Sequence, residues 1–414
     1  MGDGWDGIPA DVFVQILLLI PPSPRRRLRL VCRHWRDAID ERAPEPRTRA
    51  KVLAFFHEDQ SSRAHVFDEL LPGERGGGGR ELDLRGSGAD YAGVCMVGTC
   101  NGLLLLCLYS YGGEIAVVNP AIREALRVAP PATGKGWPLP RISDLHESTY
   151  SFAYHPATGQ YKIVHVPCDR HAKLDAVHVF TLGIDGPAQQ KWREVPAPAG
   201  SSCRLRSGLV SIDGVTYWTT KNADRVMSLD LKDERFDLLE WPPLAAGGTC
   251  RLTDVHGRLG LVAFWSRDEP NRSRTEVWVL EEGGREEEER AWVKRYTLLA
   301  HGGRESQSMA FPLVAHGEHV LTTSWCSGWW KARASLSLHA RKPRQERKLG
   351  RGVLRVGAPR LWTLVGEYDS LNLRTFAYVE TREPVVVYGG HSFDNGETSR
   401  EDPLADDGED NEWS

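Results

Sequence analysis

Five dipeptides suited to tight turns recur along the chain: Asn101-Gly102, Thr158-Gly159, Asp213-Gly214, His256-Gly257 and His316-Gly317. They are separated by 57, 55, 43 and 60 residues. Glycine at the second position accepts a positive φ without steric cost, so each dipeptide can reverse the chain within a hairpin. Apolar stretches with strand-like alternation flank each one, as in SFAYHPATGQYKIVHV (151–166) and GLVSIDGVTYWTT (208–220). A second, more charged hairpin follows each tip, for example RVMSLDLKDERFDLLEWPP (225–243). A double hairpin repeated with a period near about 50 residues predicts four-stranded blades set around an axis. A β-sandwich would also show alternation, but it does not account for the repeated double-hairpin unit.

The repeats predict a mostly antiparallel, all-β, β-propeller-like domain of six or seven blades over 51–390. The strands of Lys51–Leu70 would close the ring with the C-terminal ones. Trp192, Trp218, Trp241, Trp265, Trp278, Trp292 and Trp325 recur within the units. Large aromatics packed between blades explain that recurrence.

The first 43 residues are of a different kind. Pro9 suits a first helical turn, and Asp11 places negative charge where the helix dipole favours it. Phe13, Ile16, Leu17 and Ile20 fall at i, i+3, i+4 and i+7, one stripe of a helix. Pro21, Pro22 and Pro24 end it. A second helical pattern carries Leu28, Val31, Cys32, Trp35 and Ile39 on one face, with arginines largely on the others. A unit this small cannot bury all of that surface by itself, so the surplus implies a partner helix or groove.

The order of these residues resembles an F-box, the helical motif that binds the Skp-type linker of cullin-RING ubiquitin ligases. Ile8-Pro9, Asp11, Ile16-Leu17, Ile20-Pro21, Val31-Cys32 and Trp35-Arg36 follow the family pattern without a gap. The departure is Ser23-Pro24-Arg25, where the family carries an apolar step; it bears on how tightly such a module docks. The resemblance implies linker contacts from Ile8, Pro9, Phe13, Ile16, Leu17, Ile20, Leu28, Val31, Cys32 and Trp35.

The downstream region resembles the F-box-associated domain of plant proteins. The residues that carry this likeness are Cys100-Asn101-Gly102-Leu103-Leu104, Val118-Asn119-Pro120, Phe152-Ala153-Tyr154, Asp213-Gly214-Val215-Thr216-Tyr217-Trp218 and Leu229-Asp230-Leu231. It implies a kelch-like propeller that recognises a substrate. The expected organisation is a helical module at 1–43, a linker at 44–50, the propeller at 51–390 and a disordered acidic tail at 391–414. That tail holds seven acidic residues and no basic one between Glu401 and Glu412.

Composition narrows the function. A net charge of −4 gives no bulk attraction to nucleic acid or anionic membrane. The longest nearly apolar run, Val12–Pro22, is too short to span a bilayer, and nothing resembles a secretory signal. The expected compartment is therefore cytoplasmic or nuclear. The eight cysteines are scattered without a Cys-x-x-Cys pair and read as buried thiols.

No catalytic motif is present: there is no nucleophile elbow, no His-Glu-x-x-His and no phosphate-binding loop. His165, Cys168, Asp169, His171, Asp175 and His178 are the densest metal-capable cluster, but their spacing matches no zinc frame. They read as a polar loop, with no metal and no cofactor expected. The basic run Arg341–Arg351 reads as a solvated loop. Trp325, Trp329 and Trp330 are candidate substrate contacts if they stand in a loop, and core residues otherwise.

The expectation is a non-enzymatic adaptor that docks the linker through its helices and holds a protein target on its propeller for ubiquitination. Two alternatives remain open. One is a ligand-binding, sugar-binding or enzymatic propeller with a helical extension; the other is an F-box interaction protein acting without the ligase.

Overall fold

The structure, a computed structural model, describes residues 9–20, 25, 28, 31, 35, 38–39, 50–58, 61–67, 79–84, 94–108, 113–132, 149–156, 158–167, 172–183, 191–244, 248–266, 272–281, 290–301, 306–309, 315–316, 319–327, 332–340, 353–356, 362–368 and 373–392. Helix α1 (Ala10–Leu19) precedes the strands. Among the described residues no helix is long and apolar enough to cross a membrane.

The strands follow in runs of three or four. The first run is β1 (Lys51–Glu58), β2 (Ser61–Phe67) and β3 (Arg80–Glu81). The second is β4 (Val94–Cys100), β5 (Leu103–Leu108), β6 (Glu114–Asn119) and β7 (Glu124–Val128). The third is β8 (Tyr150–His155), β9 (Gln160–His165), β10 (Ala176–Thr181) and β11 (Trp192–Pro196). The fourth is β12 (Val210–Ile212), β13 (Val215–Thr219), β14 (Arg225–Asp230) and β15 (Phe236–Glu240). The fifth is β16 (Thr249–Val255), β17 (Arg258–Ser266), β18 (Arg272–Glu281) and β19 (Ala291–His301). After these come β20 (Ser306–Met309), β21 (Ala315–His316), β22 (His319–Ser327), β23 (Ala332–Ala340), β24 (Val353–Val356) and β25 (Trp362–Tyr368). The chain closes with β26 (Arg374–Tyr378) and β27 (His391–Ser392).

These strands build a mostly antiparallel β-propeller, and the described ones form six sheets. Four follow the double-hairpin scheme directly. Sheets two to five are β4–β7, β8–β11, β12–β15 and β16–β19, each a meander in chain order. Sheet six runs β20-β22-β23-β25, with β21 against β22. Sheet one joins the two ends of the domain in the order β26-β1-β2-β3. Lys51 faces Tyr378 and Phe55 faces Arg374 in that antiparallel pair, so the expected closure by the Lys51–Leu70 region is formed.

The turn dipeptides act where their chemistry predicts. Asn101 and Gly102 have φ of 50° and 84°, Asp213 and Gly214 49° and 81°, and His256 and Gly257 54° and 75°. Two successive positive φ values make the primed turn whose twist matches antiparallel strands. Gly102 has a further constraint: a Cβ there would lie 2.1 Å from the Val379 carbonyl oxygen.

Packing between sheets supplies the core. β5 buries all six of its residues, Leu103 to Leu108, because neighbouring sheets cover both faces. Leu104 and Leu106 pack toward Leu53, Met96 and Phe376, while Leu103 and Leu105 pack toward Phe152, Tyr161 and Ile163. At about 2 kcal/mol per buried leucine, these four contribute on the order of 8 kcal/mol of transfer free energy, an upper estimate.

The tryptophans bridge sheets as expected. The Trp192 indole N–H donates to the Ala129 carbonyl at 2.7 Å, from sheet three to the end of sheet two. The Trp292 indole repeats the contact from sheet five to the Glu240 carbonyl of sheet four, at 2.8 Å.

Two strands depart from the meander. β24 leaves the run of sheet six and adds in parallel to the outer edge of β19 in sheet five. β27 adds to β7 on the outer edge of sheet two, so regular structure extends to Ser392, past the expected boundary at 390.

Candidate functional site

The N-terminal module is held by a small aromatic and aliphatic centre. Phe13, Leu17 and Ala38 are buried, with Val14, Ile20, Leu28, Trp35 and Ile39 packed around them. The rings of Phe13 and Trp35 meet edge to face, with centroids 4.9 Å apart. Pro9 caps α1 in an extended conformation, and its carbonyl accepts the first helical bond from the Phe13 N–H at 3.0 Å.

That packing divides the apolar stripe read from the sequence. At 3.6 residues per turn, Ile16 lies about 60° around the helix from Phe13, and Val12 lies further the same way. Ile16 is 45% exposed and Val12 49%. Val31, in the second segment, is 57% exposed. Phe13, Leu17 and Trp35 therefore build the module, whereas Val12, Ile16 and Val31 present apolar surface to solvent. Ile20, Leu28 and Trp35 are half-buried. Ile8 and Cys32 lie outside the described residues. Val12 was missed in the sequence because it stands outside the i, i+3, i+4, i+7 series.

Arg25 has a role its charge did not signal. It is buried, and its Nε and Nη2 both donate to the Ile20 carbonyl, at 3.2 and 2.8 Å. A cation at the C-terminal end of a helix satisfies a carbonyl left over by the helix and complements its dipole. The departure from an apolar residue at this position thus fastens the turn after α1.

In the propeller, the sequence-predicted residues are only partly brought together. The rings of His165 and His178 stack with centroids 5.5 Å apart, and their Nδ1 atoms are 3.3 Å apart. Tyr150 stacks on the other face of this row at 4.5 Å from His165. Burial lowers the His178 pKa, opposed by the charge of Glu194. A stacked row of Tyr150 and two imidazoles is a packing arrangement. Asp175 bridges to Lys173 at 2.7 Å. Among the described residues no group of three or more metal-capable side chains comes together; Cys168, Asp169 and His171 lie outside them. Trp325 is in β22, opposite Ser306 and Ala334. Its side chain, like Trp329 and Trp330, falls outside the described residues, and so does the basic run at 341–351.

A second constellation was not anticipated as a unit. The Asn119 amide, fully buried, donates to the Thr381 and Glu383 carbonyls at 3.2 and 2.8 Å, and its oxygen accepts the Ala121 N–H at 3.0 Å. The Glu124 carboxylate accepts the Val385 and Val386 N–H groups at 2.6 and 3.1 Å. The Tyr388 hydroxyl donates to the buried Glu383 carboxylate at 2.9 Å. Sheet two thereby holds residues 381–388, immediately after the strand that closes the ring.

Comparison with known proteins agrees with both halves. The F-box domain family matches residues 5–44, and the F-box associated beta propeller domain family matches residues 105–329. An F-box protein of Arabidopsis thaliana is 24% identical over 331 residues, covering 72% of this chain and 74% of the relative. Two F-box/kelch-repeat proteins of the same plant are similar: one is 24% identical over 318 residues (70% of this chain, 79% of the relative), the other 23% over 331 residues (78% and 71%). With a helical module of F-box pattern, a propeller behind it, and more than half of its length matched by the propeller family, the chain belongs to the plant F-box proteins that carry a C-terminal F-box-associated β-propeller domain.

Proposed function

We propose that this protein is a substrate-recognition adaptor of an SCF-type cullin-RING ubiquitin ligase. The helical module docks a Skp-type linker, and the propeller holds a protein target. The protein contributes no side-chain chemistry to ubiquitin transfer; it raises the effective concentration of target at an enzyme bound elsewhere in the complex. Residues 44–50 join the two parts, and the adaptor works in the cytoplasm or nucleus.

The observation that supports this most is the exposure of the apolar residues Val12, Ile16 and Val31 on a module too small to bury them alone. Apolar surface of this kind on a helix is what a partner groove covers. Of the linker-contact residues implied by the family resemblance, Ile16 and Val31 would touch the partner directly. Phe13, Leu17 and Trp35 would act by keeping the helices together.

Co-purification with a Skp-type linker tests the reading. Ile16→Asp combined with Val31→Asp should abolish binding while leaving the helical signal of the module intact. Leu17→Asp should abolish both. Absence of binding by the wild-type protein, or full binding by the Ile16/Val31 variant, would refute the proposal.

A further inference from the structure

Each four-stranded antiparallel meander returns the chain to the end of the ring where it began. The first strands of successive sheets touch one another, β26 against β4, β4 against β8, β8 against β12 and β12 against β16. They therefore line the centre, and all begin at one end of it. That end collects arginine. Arg204 and Arg206 lie in the connection before β12, where the short 3-10 turn Leu205–Ser207 touches β16. Arg251 is the third residue of β16, and Arg374 the first of β26. Lys221 lies in the β13–β14 turn at the same end.

Arg204, Arg206, Lys221 and Arg251 are exposed. Arg374 is half-buried and positioned: its Nη1 donates to the Met96 carbonyl at 2.8 Å, and its guanidinium carbon sits 5.3 Å from the centre of the Phe376 ring. Arg251 is open to water and yet partly desolvated; that loss of solvation, and then the charge of Arg374 from another sheet, lower its pKa. Burial pushes the Cys250 thiol up to about 11, against the opposing charge of Arg204. Arg204, Arg251 and Arg374 thus stand at one end of the ring, the first in the connection before β12, the others near the starts of β16 and β26. Three described acids at this end have partners of their own. Asp175 bridges Lys173, Glu240 lies 3.9 Å from Arg225, and Asp224 accepts the Thr220 hydroxyl at 2.6 Å.

Positive charge gathered at one end of the ring focuses a field on an anion approaching it. Arginine forks suit carboxylates. Cations spread over two strands, a turn and a connection suit an extended chain of charges better than one small ion. The net charge of −4 over the whole chain disfavours a bulk polyanion such as nucleic acid. We propose that the end of the propeller where its inner strands start binds an acidic peptide segment, rich in Asp and Glu, of the target protein. This assignment deepens the adaptor reading and takes its purpose from it.

The test uses the full-length protein without any linker, so its result does not depend on whether the helical module docks. Fluorescence anisotropy would follow a fluorescein-labelled hexaglutamate peptide, with hexalysine as comparison. Hexaglutamate should bind, weaken as salt rises, and bind at least about tenfold more weakly to Arg251→Gln/Arg374→Gln. Arg206→Gln/Arg251→Gln, which leaves the Met96 contact in place, should lose affinity in the same direction at unchanged melting temperature. Arg258→Gln, beside the tip at the opposite end, should bind as wild type. No binding of hexaglutamate, equal binding by both arginine variants, or tighter binding of a single-stranded oligonucleotide of equal charge would overturn the proposal.

Discussion

Replacing Asn119 by alanine should loosen the closing segment of the ring. Asn119 makes three hydrogen bonds at a fully buried position, two to the Thr381 and Glu383 carbonyls and one from the Ala121 N–H. Each partner left unsatisfied costs about 1 kcal/mol or more, so the variant should destabilise the fold by about 3 kcal/mol, of which about 2 kcal/mol, from the two carbonyls, belongs to the closure. For a domain of this size, that lowers the melting temperature by only about 3 to 6 °C. A local readout is sharper. Arg382 is exposed between the two bonded carbonyls, and trypsin cuts there only when the segment lifts off. If cleavage tracks the open population, a loss of about 2 kcal/mol from the closure accelerates it by about thirtyfold. Asn119→Asp keeps the shape and the Ala121 contact but offers no donor to the two carbonyls, so it should be at least as susceptible. Cleavage of Asn119→Ala at less than about five times the wild-type rate, corresponding to about 1 kcal/mol, would refute the closure argument.

Other outcomes follow from the same structure. Gly102→Ala should cost about 2 to 3 kcal/mol by denaturant unfolding, because it combines φ of 84° with a Cβ 2.1 Å from the Val379 carbonyl. Trp192→Phe keeps most of the packing but loses the bond to the Ala129 carbonyl, and should cost about 1 kcal/mol in the same assay. Burial lowers the pKa of both His155 and His178 below 6.5, so the unfolded chain binds more protons than the folded one as pH falls past that value. Melting temperature should therefore decline as pH drops below about 6.5, and His178→Gln should flatten the decline.

The turn chemistry was legible because it is local. Asn101, Asp213 and His256 sit at positive φ beside a glycine, as such dipeptides do in any tight hairpin. What escaped sequence reading depends on distant partners. PVVVYG at 384–389 reads as a strand by composition, yet Val386–Tyr388 is a 3-10 turn. The reason is Glu124, whose carboxylate takes the Val385 and Val386 N–H groups that a strand would offer to a neighbour. β20 (Ser306–Met309) and β24 (Val353–Val356) were not anticipated: the first carries little apolar pattern, and the second joins an edge across from another sheet. In the helical module the stripe was visible but its division was not. Only the packing of Trp35 on Phe13 shows that Ile16 is left outside. Arg25 illustrates the same limit, since a charge at an apolar position became intelligible only from the Ile20 carbonyl it meets.

The pairing of β26 with β1 also sets an order of events during synthesis. The helical module and β1 leave the ribosome well before β26, so β1 lacks one of its neighbours until residues 374–378 have been made. Sheets two to five are meanders of nearby residues and can form as they emerge. Sheet one waits longest. The module that would engage the ubiquitination machinery thus hangs from a sheet completed only late in synthesis. A chain interrupted before residue 374 would carry that module on a ring with an unpaired edge at β1, the kind of edge that invites aggregation. Such a fragment should be short-lived in cells, and its lifetime would report how closely completion of the ring is tied to competence as an adaptor.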